Sequence, residues 1–383
     1  GRYWVFLKLT TDHGVIGFGE AYSVPFHPQV VSGMMEDVFE RYVAGSDPFK
    51  IERLWRSIYS SGYTQRSDLS IMGVLSALEM ACWDIVGKAC DKPVFELLGG
   101  QVHKRLRSYT YIYPAEGDVY PQEGDDDHVY VNPDRAAERA LDYVKQGFTA
   151  VKFDPAGPYT VFDGGMPTGE ELDRSEAFTK TIREAVGGDV DLLFGTHGQF
   201  STAGAIRLAR RIEAYDPLWF EEPVPPENTR EMARVAAATS IPVATGERLC
   251  TKYEFAKVLQ DGAASILQLN LGRVGGLLEA KKIAALAEVH YAQLAPHMYC
   301  GPIVGAANIQ LATCSPNFLI LEGIETWGGF QAQLLEKPVQ WEDGYVIPSS
   351  EPGLGVSLNE DVARANPWSG DELHLQMGLE PVR

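Results

Sequence analysis

The chain has 383 residues, 45% of them hydrophobic, which is enough for a large core and more than one ordinary domain. Its formal charge of -19 repels phosphate backbones and anionic membrane surfaces, so neither nucleic acid nor membrane is expected as a partner. The same charge means that a site for an anionic substrate needs a local positive centre, such as a metal.

Tyr3–Thr10 and Val15–Glu20 read as strands around Asp12-His13-Gly14, a hairpin signal. Residues 68–87 read as a helix with Ile71, Val74, Leu75, Leu78, Cys82 and Ile85 on one stripe. Apolar residues spill onto its other faces, so it is expected to be largely buried. Leu97-Leu98-Gly99-Gly100 closes this region on a glycine stop. From about residue 104 short apolar strands alternate with amphipathic helices, the signature of a parallel sheet. Strand ends fall near Tyr111, Phe153, Phe194, Glu221, Thr245, Leu269, Ala295 and Glu322, which makes eight. The spacing of the later ones, about 25 residues, is that of one βα unit in a barrel. Asn132-Pro133 opens one helix, with Ala137, Ala140, Leu141 and Val144 on one face. Two connections, 112–132 and 154–174, are long for a barrel and follow strands, so both are expected on the C-terminal face as binding loops. Trp341-Glu342-Asp343-Gly344-Tyr345-Val346 reads as a hairpin, after which the tail is expected to return to the N-terminal region.

Cys82, Cys90, Cys250, Cys300 and Cys314 are scattered and lack metal-ligand spacing; they read as free thiols in a reducing cytoplasm. No apolar stretch reads as long enough to span a membrane, and no secretory signal is seen.

The chemistry lies at the strand ends. Glu221 closes the fourth strand and Glu247 follows the fifth, so the two carboxylates converge on one barrel mouth. Uncompensated, they repel; a hard divalent cation removes that cost. A salt bridge, Glu247 with Arg248 or Glu221 with Lys152, answers the same need, and the residues alone leave both readings open. Lys152 ends the second strand and is placed to meet a substrate carboxylate, a Schiff-base role being a further alternative. His197 and His297 follow the third and seventh strands and are acid–base candidates, since histidine titrates near neutrality. Asn270, beside the strand of His297, is placed to orient its ring, and Glu322 adds a carboxylate at the rim.

Taken in order, Trp219-Phe220-Glu221-Glu222-Pro223, Gly246-Glu247, Gly275-Gly276, Pro296-His297 and Leu321-Glu322 resemble the enolase superfamily, in its mandelate racemase and muconate-lactonizing group. The resemblance covers nearly the whole chain. It implies an α/β fold: a modified TIM (β/α) barrel over residues 104–340 with an α+β capping domain formed by residues 1–103 and the tail 341–383. It implies one Mg²⁺ on Glu221 and Glu247, His297 as the base that removes a proton alpha to a carboxylate, and Glu322 near that carboxylate. His197 matches the general acid of the galactonate and mannonate dehydratase types, and Tyr159 is similar to a loop tyrosine of the mannonate type. The expected reaction is dehydration of a sugar acid to a 2-keto-3-deoxy acid by a cytoplasmic homo-oligomer. An epimerase or cycloisomerase, and a metal-poor relative that binds sugar acids without turnover, are the alternatives.

Three positions depart from the group's pattern. The third metal ligand, an aspartate, is Gly195; the aspartate that orients the base histidine is Asn270; and the second lysine of a lysine-x-lysine pair is Asp154. The last argues against racemisation by two opposed bases. Loop residues His27, Tyr63, Arg66 and Tyr159 are candidates to meet a polyol chain.

Overall fold

In a computed structural model that describes residues 3–22, 25–114, 126–154 and 164–370, the chain opens on a hairpin of β1 (Val5–Thr10) and β2 (Ile16–Ala21), paired antiparallel from Val5 opposite Ala21 to Thr10 opposite Ile16. Its inner face lies on the helix Leu69–Ala89, which Asp68 starts by accepting from the backbone N–H groups of Ser70 and Ile71. This helix is apolar on nearly every face, and the structure shows why: helices Pro28–Val38 and Ile51–Tyr59 pack on it from one side and the hairpin from the other. Contrary to the sequence expectation, it is by length and composition apolar enough to cross a membrane, but 78% of its most apolar stretch is buried inside the protein.

Eight parallel strands follow: β3 (Leu106–Tyr111), β4 (Ala150–Phe153), β5 (Asp191–Gly195), β6 (Trp219–Glu221), β7 (Val243–Thr245), β8 (Ile266–Leu267), β9 (Gln293–Leu294) and β10 (Leu321–Gly323). Each pairs with the next from β3 to β9, and β10 returns to pair with β3. A bridge between Leu294 and Phe318 joins the last two strands and closes the barrel. The hairpin of β11 (Gln340–Glu342) and β12 (Tyr345–Ile347) adds antiparallel to β3, extending the barrel's sheet. Beyond it, Gly353 bridges to Pro93, Lys8 pairs with Glu360, and Trp368 sets its ring edge-on to Tyr3, so this part of the tail lies on the N-terminal region.

The barrel is a packed core. Tyr109, Ala150, Leu193, Trp219, Ala244 and Ile266, each from a different strand, form one buried layer with Ala295, just after β9, and Ile320, just before β10. The N-terminal elements are fastened to it by buried carboxylates. Glu79 accepts from the backbone N–H groups of Leu277 (2.7 Å) and Leu278 (2.9 Å), at the start of helix Gly276–Val289. Glu20 accepts from Gly301 (2.5 Å) and Val304 (3.0 Å), at the start of helix Pro302–Thr313. Asp84 accepts from Phe18 (3.0 Å) and Leu354 (2.9 Å) and pairs with Lys88. Helix N-termini offer free N–H donors and a favourable dipole, which suits carboxylates. Burial nevertheless raises the Glu20 and Glu79 carboxyls to about 7, with these N–H groups opposing.

Candidate functional site at the barrel mouth

Side chains on a strand alternate between faces, so the residues two beyond the buried layer point the same way, into the mouth. Those residues are Tyr111, Lys152, Gly195, Glu221, Gly246, Gln268, His297 and Glu322. Glu247 reaches the mouth by a different route. Gly246 sits at φ 142°, where a side chain would be strained, and a β-carbon there would meet the backbone of Gln268 at 3.0 Å. His197 likewise holds φ 51°, unusual for a residue with a side chain. Arg248 donates to its carbonyl at 2.9 Å, and the N–H of Gly198 donates to Glu222 O at 2.7 Å.

The cluster is densely connected. Lys152 Nζ donates to Glu221 Oε1 at 2.8 Å and lies 3.4 Å from Glu322 Oε1. Glu221 Oε2 accepts from Gln268 Nε2 at 2.7 Å and Trp219 Nε1 at 3.2 Å. Glu322 Oε2 accepts from the N–H of Met298 at 2.7 Å. His297 Nε2 stands 3.1 Å from Glu247 Oε2, and its Nδ1 is 2.8 Å from Asn270 Nδ2. His197 Nδ1 is 4.0 Å from Asp154 Oδ2. The salt-bridge alternative is thus realised for Lys152 and Glu221, while Arg248 pairs with Glu222 at 2.7 Å.

Burial works against the charge on Lys152, but Glu221 and Glu322 overcome it and hold the ammonium well above its usual range. An ammonium held in its charged form by two carboxylates is a poor nucleophile, which weighs against the Schiff-base alternative. Burial raises Glu322 to about 7 against the pull of Lys152, and Glu222 to about 7 against that of Arg248. Burial lowers His297 to about 3, with Glu247 opposing, and lowers His197 as well. Both imidazoles are therefore neutral at pH 7. For Glu247 burial pushes upward, but the two histidines when protonated, together with Lys152 and Arg248, outweigh it and hold the carboxyl well below its usual range.

The donor set fits a divalent cation. Glu221, Glu247 and His197 each offer a ligand atom, and these atoms lie within 4.8 Å of one another. Glu247 Oε2 is buried and makes no well-formed hydrogen bond among the described residues, although His297 Nε2 stands 3.1 Å from it. Gly195 explains the missing third carboxylate: a β-carbon there would stand 2.8 Å from Lys152 Cε and 3.6 Å from His197 Cε1. The lysine stem and the imidazole occupy the space an aspartate would need.

The structure brings together Lys152, His197, Glu221, Glu247, Asn270, His297 and Glu322 as expected from the sequence. His27 and Arg66 are exposed; His27 meets the edge of Trp368, and no hydrogen bond or ion pair among the described residues joins either to the cluster. Tyr63 is fully exposed, and Tyr159 lies outside the described residues. Gln268 and Trp219 were not foreseen as partners of Glu221. Their position was readable, since Trp219 lies two residues before Glu221 on β6 and Gln268 two residues before Asn270. Tyr22 and Arg273 were also missed: the Tyr22 ring lies 5.6 Å from that of His297, and the Arg273 guanidinium sits 4.5 Å above the Tyr22 ring. Arg273 follows Asn270 by three residues and was within reach of local spacing, whereas nothing in local spacing links Tyr22 to the site.

Two family models match the chain: the mandelate racemase / muconate lactonizing enzyme N-terminal domain over residues 2–99, and the enolase C-terminal domain-like family over residues 135–362. A D-galactonate dehydratase of Xanthomonas oryzae pv. oryzae (strain PXO99A) is 34% identical over 372 residues, 95% of this chain and 91% of that protein. A D-galactonate dehydratase of Pectobacterium atrosepticum is 32% identical over 94% of this chain and 90% of its own length. Among solved structures, a mandelate racemase/muconate lactonizing enzyme from Sulfitobacter sp superposes with a TM-score of 0.94 at 53% identity, covering 100% of this chain and 94% of that one.

Proposed function

The chain belongs to the mandelate racemase/muconate lactonizing enzyme family of the enolase superfamily, and on that premise we propose that it is a lyase that removes water from a sugar acid to leave a 2-keto-3-deoxy acid. The observation that carries this reading is the identity of 34% with a D-galactonate dehydratase across nearly the full length of both chains. The mouth supports it, because it assembles the two carboxylates, the lysine and the two neutral imidazoles that such a reaction needs.

Glu221 and Glu247 would hold Mg²⁺ with His197 beside them, and the cation, when bound, supplies positive charge against the substrate carboxylate as its α-proton leaves. Lys152 adds a second positive charge within reach of the same oxygens, and Glu322 borders them. Each imidazole is in the uncharged form in which histidine manages protons in a buried site, and the two approach the carboxylate pair through different neighbours, Asn270 and Asp154. The α-proton is taken up by one of the two neutral imidazoles, and the departing β-hydroxyl receives its proton from an imidazolium so formed or from water. Asp154, in place of a second lysine, argues against racemisation by two opposed bases.

Incubation of the purified protein with Mg²⁺ and a library of aldonic and aldaric acids, read by mass and by a keto-acid assay, tests the proposal. A product lighter by one water is the expected result. Products of unchanged mass only would instead mark an epimerase or cycloisomerase.

A further inference from the structure

Asn270 has every polar function of its amide engaged. The backbone N–H of Gly272 donates to Oδ1 at 2.8 Å. Nδ2 reaches His297 Nδ1 at 2.8 Å and Cys300 Sγ at 3.0 Å. A backbone N–H is only ever a donor, so the atom facing Gly272 is the amide oxygen, and the amide nitrogen faces the ring. Turning the amide over would set its NH₂ against the Gly272 N–H, two donors face to face in a fully buried place. Both hydrogens of the amide are thus committed, one of them to Nδ1.

A nitrogen that accepts a hydrogen bond carries no proton. Nδ1 of His297 is therefore bare, and the ring proton of the neutral imidazole sits on Nε2, the nitrogen 3.1 Å from Glu247 Oε2. An aspartate at position 270 would do the reverse: its carboxylate would accept from Nδ1–H and leave the lone pair on Nε2, where an incoming proton could be taken up. The Tyr22 ring lies tilted against that of His297, and Asn308 donates to the His297 carbonyl at 3.0 Å, so ring and backbone both have neighbours that hold them in this arrangement.

We infer that Asn270 is a positioning residue that locks His297 as the Nε2–H tautomer, so that His297 meets the substrate as a hydrogen-bond donor and not as the proton-accepting base. The catalytic part of this inference rests on the dehydratase reading; the tautomer itself does not. In the reaction proposed above, His297 Nε2–H supports the negative charge that gathers on the substrate's carboxylate oxygens, with no proton transferred.

The test uses the full chain labelled with ¹⁵N in its histidines, without substrate, and two-bond ¹H–¹⁵N correlation spectra of the imidazoles. His297 is assigned by the signals lost in His297→Gln. Wild type is expected to show Nε2 with the shift of a protonated nitrogen and Nδ1 with that of a bare one. In Asn270→Asp, Nδ1 is expected to become protonated. In Asn270→Ala, should the charged variant fail to fold, the single-tautomer signature is expected to give way to averaged shifts. A protonated Nδ1 in wild type overturns the inference, as does an unaltered Nε2–H signature in either variant. Because the spectra are read on the free protein, failure of the dehydratase assay has no bearing on them, and a reversed tautomer leaves that assay's result standing.

Discussion

Replacing Lys152 with methionine keeps the buried stem and removes the ammonium that stands 2.8 Å from Glu221 and 3.4 Å from Glu322. Two carboxylates then share a buried site without a lysine between them. Removing one partner of a buried ion pair costs about 3–5 kcal/mol. The lower end applies here, for two structural reasons. Glu221 keeps its donors Gln268 and Trp219, and Glu322, already raised to about 7, escapes its charge by taking up a proton. Unfolding entropy is about 2.1 cal/mol/K per residue, so for a chain of 383 residues melting as one unit a loss of about 3 kcal/mol lowers Tm by roughly 4 °C. A saturating divalent cation should reverse most of this, since a ligand at 100 times its Kd returns about 2.7 kcal/mol. The cation-induced rise in Tm should be larger in Lys152→Met than in wild type, because the lysine no longer competes for Glu221. Differential scanning calorimetry with and without Mg²⁺ measures both quantities. An unchanged Tm in the variant, or a smaller cation-induced rise than in wild type, would refute the view that Lys152 and the cation serve the same carboxylate.

Three further outcomes are expected. Glu247→Gln should abolish the Mg²⁺-dependent rise in Tm, a loss of about 2.7 kcal/mol at 100 times the wild-type Kd, read in the same calorimeter. Glu20 carries a folded pKa raised to about 7 from an ordinary 4.5, so its contribution is fully present below pH 4.5 and is lost as pH rises through 7. Denaturant unfolding at pH 5 and pH 8 should show wild type losing stability across that window, with up to about 3 kcal/mol of the fall missing in Glu20→Gln; parallel falls in the two proteins would count against a buried titrating carboxyl. Gly195→Asp puts a β-carbon 2.8 Å from Lys152 Cε, and overpacking of this kind costs about 1–3 kcal/mol, detectable as a lower Tm in cation-free buffer.

Much of this site was readable from the chain because a barrel turns sequence period into position. Once Glu221, Asn270, His297 and Glu322 were placed at strand ends, closure of the sheet was enough to bring them to one mouth. What could not be read were the choices a side chain makes among near neighbours. Lys152 reaches Glu221 because Gly195 leaves it room, a consequence of volume on an adjacent strand. The amide of Asn270 is oriented by the N–H of Gly272, whose direction depends on how the chain turns after β8. Tyr22 comes to His297 from the other end of the chain, on the segment that leaves β2. The expectation that no apolar stretch would match a membrane span failed for Leu69–Ala89 because a helix packed on several sides needs no polar face.

Glu20, Glu79 and Asp84 have a consequence beyond the bonds they make. Each is a fully buried carboxyl, and the first two end on backbone N–H groups at the starts of barrel helices. Pulling the N-terminal elements away would strand those carboxyls and four helix donors at once, so the two parts separate only at a cost close to that of unfolding both. Hydrogen exchange should find them as a single foldon.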